Sequence, residues 1–252
     1  LDDGSFLTMT YVPEQNVIAW TGPHWVAGSY QGGNAQVVSC ASIEGDTQDE
    51  IYFVVKRTIN GQTKQYVEML ASRDFTSVSD AFFVDSGLSY SGSPVTTVRG
   101  LDHLVGQSVV ALADGNVVEN LTVSSDGVVT LPKAASTIHV GLSYSARLEM
   151  LPIEVNTGDA TTDGRRKTIR EVVLKVLESR GWKYGGSDAD LIEYQQRNLE
   201  EFGAPTDLMT GNTAPLKFEP NWQNQTSVIV QQDYPLPLTI LSAIPVLIAG
   251  GQ

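Results

Sequence analysis

Side chains able to ligate metals or attack substrates are few in this chain. Its 252 residues include three histidines, His24, His103 and His139, and a single cysteine, Cys40. The histidines are scattered, without the short spacings at which imidazoles share a zinc ion. One cysteine excludes an intrachain disulfide and a cysteine-rich metal site. Cys40 falls in the apolar run 37–43 and is expected to be a small buried hydrophobe. His139 stands among Thr137, Ile138 and Val140 and is expected to be a satisfied or half-exposed sheet histidine. Asp102 and His103 are adjacent, which in a strand sends their side chains to opposite faces.

Nucleophile and phosphate motifs are also missing. No Gly-x-Ser-x-Gly elbow occurs; the nearest stretch, Gly87-Leu88-Ser89-Tyr90-Ser91, lacks the second glycine. The same pentapeptide returns as Gly141-Leu142-Ser143-Tyr144-Ser145, which favours a structural role over a nucleophile. Asp188 and Asp190 flank one residue in a glycine-bordered loop. They fit a solvated loop better than the ligand series of a calcium loop. Neither a Walker A nor a dinucleotide glycine pattern is present. Asn120 and Asn224 head formal glycosylation sequons that nothing else in the sequence supports. Trp20, Trp25 and Tyr30 offer a possible sugar platform, although anchoring of a β-hairpin is the plainer expectation. The chain therefore reads as non-catalytic, with no cofactor and no metal site.

The elements around these residues read as mainly β. Short β-branched runs alternate with glycine turns through residues 85–153, including Asp114-Gly115 and Ser125-Asp126-Gly127. Asp-Gly and Asn-Gly between apolar runs favour hairpins, because primed turns need positive φ. This stretch is expected to be a small antiparallel module, a barrel or sandwich, with the repeated pentapeptide at its two edges. Before it, 6–11 and 16–20 read as a hairpin about Pro13-Glu14-Gln15, and 21–34 as a loop. Strands at 35–43, 51–58 and 65–70 follow, the last two joined by Asn60-Gly61. Such spacing suits propeller blades, sandwiches or barrels.

Past a polar loop at 156–164, residues 165–180 fit both a helical stripe and strand alternation. Their β-branched content favours strand, as do Arg165, Arg166 and Lys167 at what would be the wrong end of a helix dipole. Residues 188–202 are polar and weakly helical, 226–231 and 238–248 strands. The expected organisation is a propeller-like segment 1–80, an antiparallel module 81–155 and a β-rich region 156–252 with little helix. No run has transmembrane length, since Pro237 and Pro245 interrupt the longest. Net charge is −13, which argues against a nucleic-acid binder but suits a surface that nucleic acid must slide past.

Several stretches, in order, resemble one family. Asp3-Gly4-Ser5-Phe6-Leu7-Thr8-Met9-Thr10-Tyr11 and Glu14-Gln15-Asn16-Val17-Ile18-Ala19-Trp20 are similar to the end of the propeller region in the tail nozzle proteins of short-tailed bacteriophages, the tail tubular protein B family. The resemblance continues through Asp49-Glu50-Ile51-Tyr52-Phe53, Gly100-Leu101-Asp102-His103-Leu104, His139-Val140-Gly141-Leu142 and Thr210-Gly211-Asn212 to Gln231-Gln232-Asp233-Tyr234-Pro235-Leu236-Pro237. It departs at 180–202, where only Gly181 and Gly185 match.

The resemblance implies a structural protein of the phage virion, in the tail. Copies, usually six, form a ring below an adaptor ring and beside tail fibres, and phage DNA leaves through the channel without sequence-specific binding. It also implies that the chain is the C-terminal portion of a longer protein. Leu238, Ile240, Leu241, Tyr90 and Tyr144 are then the expected subunit contacts, and Glu44, Asp46, Asp49 and Glu50 the expected channel-lining carboxylates. A carbohydrate-binding or adhesin module, using the tryptophans, is the alternative.

Overall fold

The computed structural model describes residues 1–155, 162, 164–196, 199–201, 203–219 and 221–250. The fold is mainly β, with 57% strand, 5% helix and, among the described residues, no helix of seven or more residues. Its sheets are small and antiparallel, and one curls into a half-barrel. The chain divides into two compact units, Leu1–Tyr144 and Ser145–Gln252.

The first unit holds ten strands: β1 (Phe6–Val12), β2 (Val17–His24), β3 (Val26–Tyr30), β4 (Gly33–Ile43), β5 (Glu50–Ile59), β6 (Gln62–Met69), β7 (Asp85–Arg99), β8 (Ser108–Ala113), β9 (Asn116–Thr122) and β10 (Val128–Leu142). Strands β1 and β2 form a two-stranded ribbon, β3-β4-β5-β6 a meander, and β7-β10-β8-β9 a third sheet. Asn60-Gly61 and Asp114-Gly115 become hairpin turns, whereas Asp126-Gly127 connects β9 to β10, which are not neighbours in the sheet. Asn60 and Gly61 have φ of 50° and 72°, and Asp114 and Gly115 have 46° and 75°, as a type I′ turn requires. Asp114 also accepts hydrogen bonds from the backbone N–H of Ser136 and Thr137, at 3.0 and 2.8 Å, which fixes the turn against β10.

Alternation decides the core. On β5, Phe53, Val55, Arg57 and Ile59 point inward and are buried. The first two pack with Ala35, Phe6, Val26 and Val37. Ile59 instead joins a larger cluster with Leu121, Val129, Ile138 and Val140 of the third sheet and with Leu101 and Leu104 from the 3₁₀ turn after β7.

The second unit holds β11 (Ala146–Glu149), β12 (Lys167–Ser179), β13 (Lys183–Gly185), β14 (Ile192–Glu193), β15 (Met209–Asn212), β16 (Leu216–Lys217), β17 (Ile229–Gln232) and β18 (Thr239–Ala249). One sheet runs β11-β17-β13-β14; the other is built on β12, which pairs with β15 and β16 and, along most of its length, with β18. The ambiguous segment is thus a strand. Val172, Leu174 and Val176 alternate into a core with Trp182, Leu216, Val228 and Val230.

Three local expectations are corrected. Residues 21–34 are largely strand rather than loop. Gln31 and Gly32 take φ of 49° and 83° and turn β3 into β4, while a register shift between Val26 and Ser29 absorbs Gly28 at φ 99°. Cys40 is exposed, because a register shift between Val37 and Ser39 breaks the alternation and the rest of β4 faces solvent. Residues 188–196 form a single 3₁₀ turn at Asp188–Asp190 and then extended chain. The Tyr194 ring stacks on buried Trp182 at 4.5 Å, and its N–H donates to the Trp182 carbonyl. Arg197, Asn198, Phe202 and most of 156–164 lie outside the described residues.

Candidate functional site

The expected contact residues fall into two environments. On β18, Ile240 and its neighbour Leu238 pack against the core of the second unit with Ala243 and Leu247. Leu241 turns outward, and below it Ile244, Val246 and Ile248 continue an exposed row; Leu241 and Ile244 are each 54% exposed. This eleven-residue strand is therefore apolar on both faces. Among the described strands it pairs with β12 alone, so its other edge is open. Edge strands of this length and composition are sites of association.

Tyr90 and Tyr144 are tied into the first unit. The Tyr90 hydroxyl donates to the Ser93 carbonyl at 2.8 Å, and its ring rests on the larger core. Burial pushes the Tyr144 hydroxyl up to about 12, with the nearby Asp85 carboxylate adding to the shift. The repeated pentapeptides do not mark two edges of the module. They meet only at their first glycines: in the antiparallel β7–β10 pair Val140 is opposite Leu88 and Leu142 opposite Asp85, so the two repeats run away from each other from Gly87 and Gly141.

The expected channel carboxylates form one acidic tip. Glu44, Asp46, Asp49 and Glu50 are all exposed, in the connection from β4 to β5 and at the start of β5. The connection is tight: a Cβ on Gly45 would stand 2.4 Å from the Gln48 carbonyl oxygen. Glu50 also accepts the Tyr52 hydroxyl at 2.8 Å, and this bond raises the Tyr52 pKa. Asp188, by contrast, is paired with Arg147 at 2.8 Å.

A buried ionic group escaped the sequence reading, although Arg57 in the inward phase of an apolar strand was its signal. Arg57 is fully buried. Its Nη1 pairs with Glu68, its Nε donates to the Ala27 carbonyl at 2.7 Å, and its Nη2 has no partner among the described residues. Ala27 also donates its N–H to Asp85 at 2.6 Å. Burial raises the Asp85 pKa against the lowering effects of that hydrogen bond and of Arg57. The arrangement anchors β3 between β5 and β7.

His139 is buried rather than half-exposed, and both of its ring nitrogens have partners. One ring nitrogen, Nδ1, lies 2.7 Å from the Ser89 hydroxyl, and Nε2 lies 3.0 Å from the Ser79 carbonyl. The carbonyl requires a donor at Nε2, so Nδ1 accepts from Ser89 in the neutral ring. A carbonyl, rather than a carboxylate, orients the imidazole, which suits a cross-strand tie better than a nucleophile's base. Among the described residues no group of three or more His, Cys, Asp or Glu is arranged to hold a metal ion. Likewise no helix is long and apolar enough to cross a membrane.

The expected aromatic cluster is divided between sheets. Trp20 is on β2 beside Met9, whereas Tyr30 is on β3 with Lys56 Nζ 4.4 Å from its ring centroid. The chain matches no protein-family model and no curated protein.

Proposed function

We propose that this protein is a structural component of a short phage tail, assembling head to tail into a ring whose lumen passes DNA. The observation that carries the reading is β18, an edge strand with an exposed apolar row that needs a protein neighbour. Three further features support it: the ordered resemblance to tail nozzle proteins, the mainly β fold, and the charge of −13. An acidic lumen wall repels DNA and so avoids the multi-phosphate cationic grip that holds it. In this reading the protein has no catalytic role. Its partners are copies of itself, six of them as in the family it resembles, with an adaptor ring and fibres.

The first test is the solution mass of the full protein by light scattering, with negative-stain imaging. Rings with a central hole are expected, and Leu241→Asp with Ile244→Asp should disperse them. These substitutions are preferable to deleting the strand, because Ile240, Ala243 and Leu247 belong to the core of their unit. A persistent monomer overturns the proposal. The sugar-binding alternative keeps exposed Trp20, but its neighbours Met9 and Ile18 are aliphatic and suit a protein surface better. Binding on a glycan array that Trp20→Ala abolishes would favour that alternative.

A further inference from the structure

The first unit contains two apolar sheet faces that its own core does not use. One is the β1–β2 ribbon. Its register places Met9 opposite Trp20 and Tyr11 opposite Ile18, so the four share a face, and Leu7 adjoins them at the irregular end of the pairing. Trp20 is 67% and Ile18 66% exposed. The reverse face carries Thr8, Thr10, Ala19 and Thr21. This segregation by alternation is the signature of a ribbon with one buried face. The second surface is the outer face of the β3–β6 meander. Here Tyr52 opposes Met69 and Val54 opposes Val67, which is 73% exposed. The inner face of the same sheet is already occupied by Phe53 and Val55 in the core.

At about 200 Å² for a large exposed side chain, the ribbon presents roughly 550 Å² of apolar surface and the meander strip roughly 250 Å². The ribbon alone reaches the upper end of what monomers expose. Ribbon against ribbon would leave every strip in water, and strip against strip would leave the larger patch bare. Ribbon against strip covers both with a single kind of contact. With a polar rim, about 800 Å² of apolar surface approaches a standard interface of about 1,200–2,000 Å² in total.

We infer that the β1–β2 ribbon of one copy packs face to face on the β5–β6 strip of a second copy. The contact is heterologous, so each copy keeps one free ribbon and one free strip, and rotation can repeat it to closure. The inference names a surface for the proposed ring and rests on that reading for closure, but not for the contact itself.

Complementation tests it. The full protein is made with Ile18→Asp and Trp20→Asp on the ribbon, and separately with Val67→Asp and Met69→Asp on the strip. Each variant alone is expected to remain monomeric by light scattering, because the β18 row and the ribbon–strip contact are both needed to hold neighbouring copies together. An equimolar mixture keeps one intact ribbon and one intact strip, and is expected to give a 1:1 dimer and nothing larger. Should a double variant misfold, Trp20→Ser and Val67→Ser remove only exposed surface and are expected to weaken self-association at least tenfold. Variants that assemble like the parent overturn the contact, and would mean that the faces are covered within one chain or by another protein. A mixture that stays monomeric also overturns it. A dimeric mixture from a parent that shows no hole in negative stain upholds the contact and rejects the nozzle reading.

Discussion

Gly87 and Gly141, the first residues of the repeated pentapeptides, lie against each other across β7 and β10. A Cβ on Gly141 would stand 2.7 Å from the Gly87 Cα and 2.7 Å from the Asp85 carbonyl oxygen. A Cβ on Gly87 would stand 2.5 Å from Val84 Cγ2 and 2.9 Å from the Val140 carbonyl oxygen. The repeat thus has a packing explanation: two strands cross closely where neither tolerates a side chain.

Gly141→Ala is therefore expected to destabilise the first unit by about 1–3 kcal/mol, the cost of overpacking a closed site. Its obstacles are backbone atoms, which cannot rotate away. Gly61→Ala has nothing within 4 Å of its added carbon and tests φ alone. Urea unfolding of the two variants separates crowding from backbone strain, and an unchanged midpoint for Gly141→Ala would refute the crowding account.

The Arg57–Glu68 pair predicts a second asymmetry. Removing Glu68 leaves a buried guanidinium whose other ionic neighbour is Asp85, so Glu68→Ala should cost about 3 kcal/mol, the lower end for breaking a buried pair. Replacing both partners, Arg57→Met with Glu68→Leu, should cost less than the sum of the single changes, because no charge is stranded. A double-mutant cycle by equilibrium unfolding measures this, and additive effects would rule out the coupling.

Legibility in the sequence followed the reach of each signal. Asn60-Gly61 and Asp114-Gly115 announced their turns because the φ requirement is local. Strand β12 could be favoured from Val172, Leu174 and Val176, whose alternation survives in the fold. Cys40 was misplaced because one register shift, invisible in composition, resets which residues face solvent. The turn at Gln31-Gly32 was missed because glutamine seldom takes positive φ. At the site, the chemistry of β18 was readable but its phase was not. Ile240 and Leu241 look alike in sequence, yet the irregular pairing near Ser242 sends one to the core and leaves the other exposed.

Half-buried Asp85 and buried His139 should give pH dependences of opposite sign. Burial raises the Asp85 pKa above 3.8 in the folded state. Its contribution to stability is fully present below 3.8 and is lost as pH rises through the raised value. Burial lowers the His139 pKa below 6.5, with the Ser79 hydrogen bond and Asp80 opposing the shift. That contribution is present above 6.5 and is lost as pH falls through the lowered value. Asp85→Asn keeps an acceptor for the Ala27 N–H and should flatten the acid-side term; His139→Gln should flatten the neutral-side term. Urea midpoints from pH 3 to 8 for the three proteins check this, and parallel profiles would contradict it.

The acidic tip yields the prediction closest to function. Glu44, Asp46, Asp49 and Glu50 are exposed within seven residues, so reversing them to lysine should leave the melting temperature nearly unchanged. On the proposed channel reading, the same change replaces a repelling wall by one that grips phosphates. Ejection from reassembled particles should slow markedly at about 10 mM salt, where the screening length is roughly 30 Å. It should recover toward the parent rate near 1 M, where that length falls to about 3 Å. A neutral set, with glutamine and asparagine at the four positions, should fall between the two, because it removes repulsion without adding attraction. Equal ejection rates for the acidic, neutral and basic tips at low salt would mean that these carboxylates do not face the DNA.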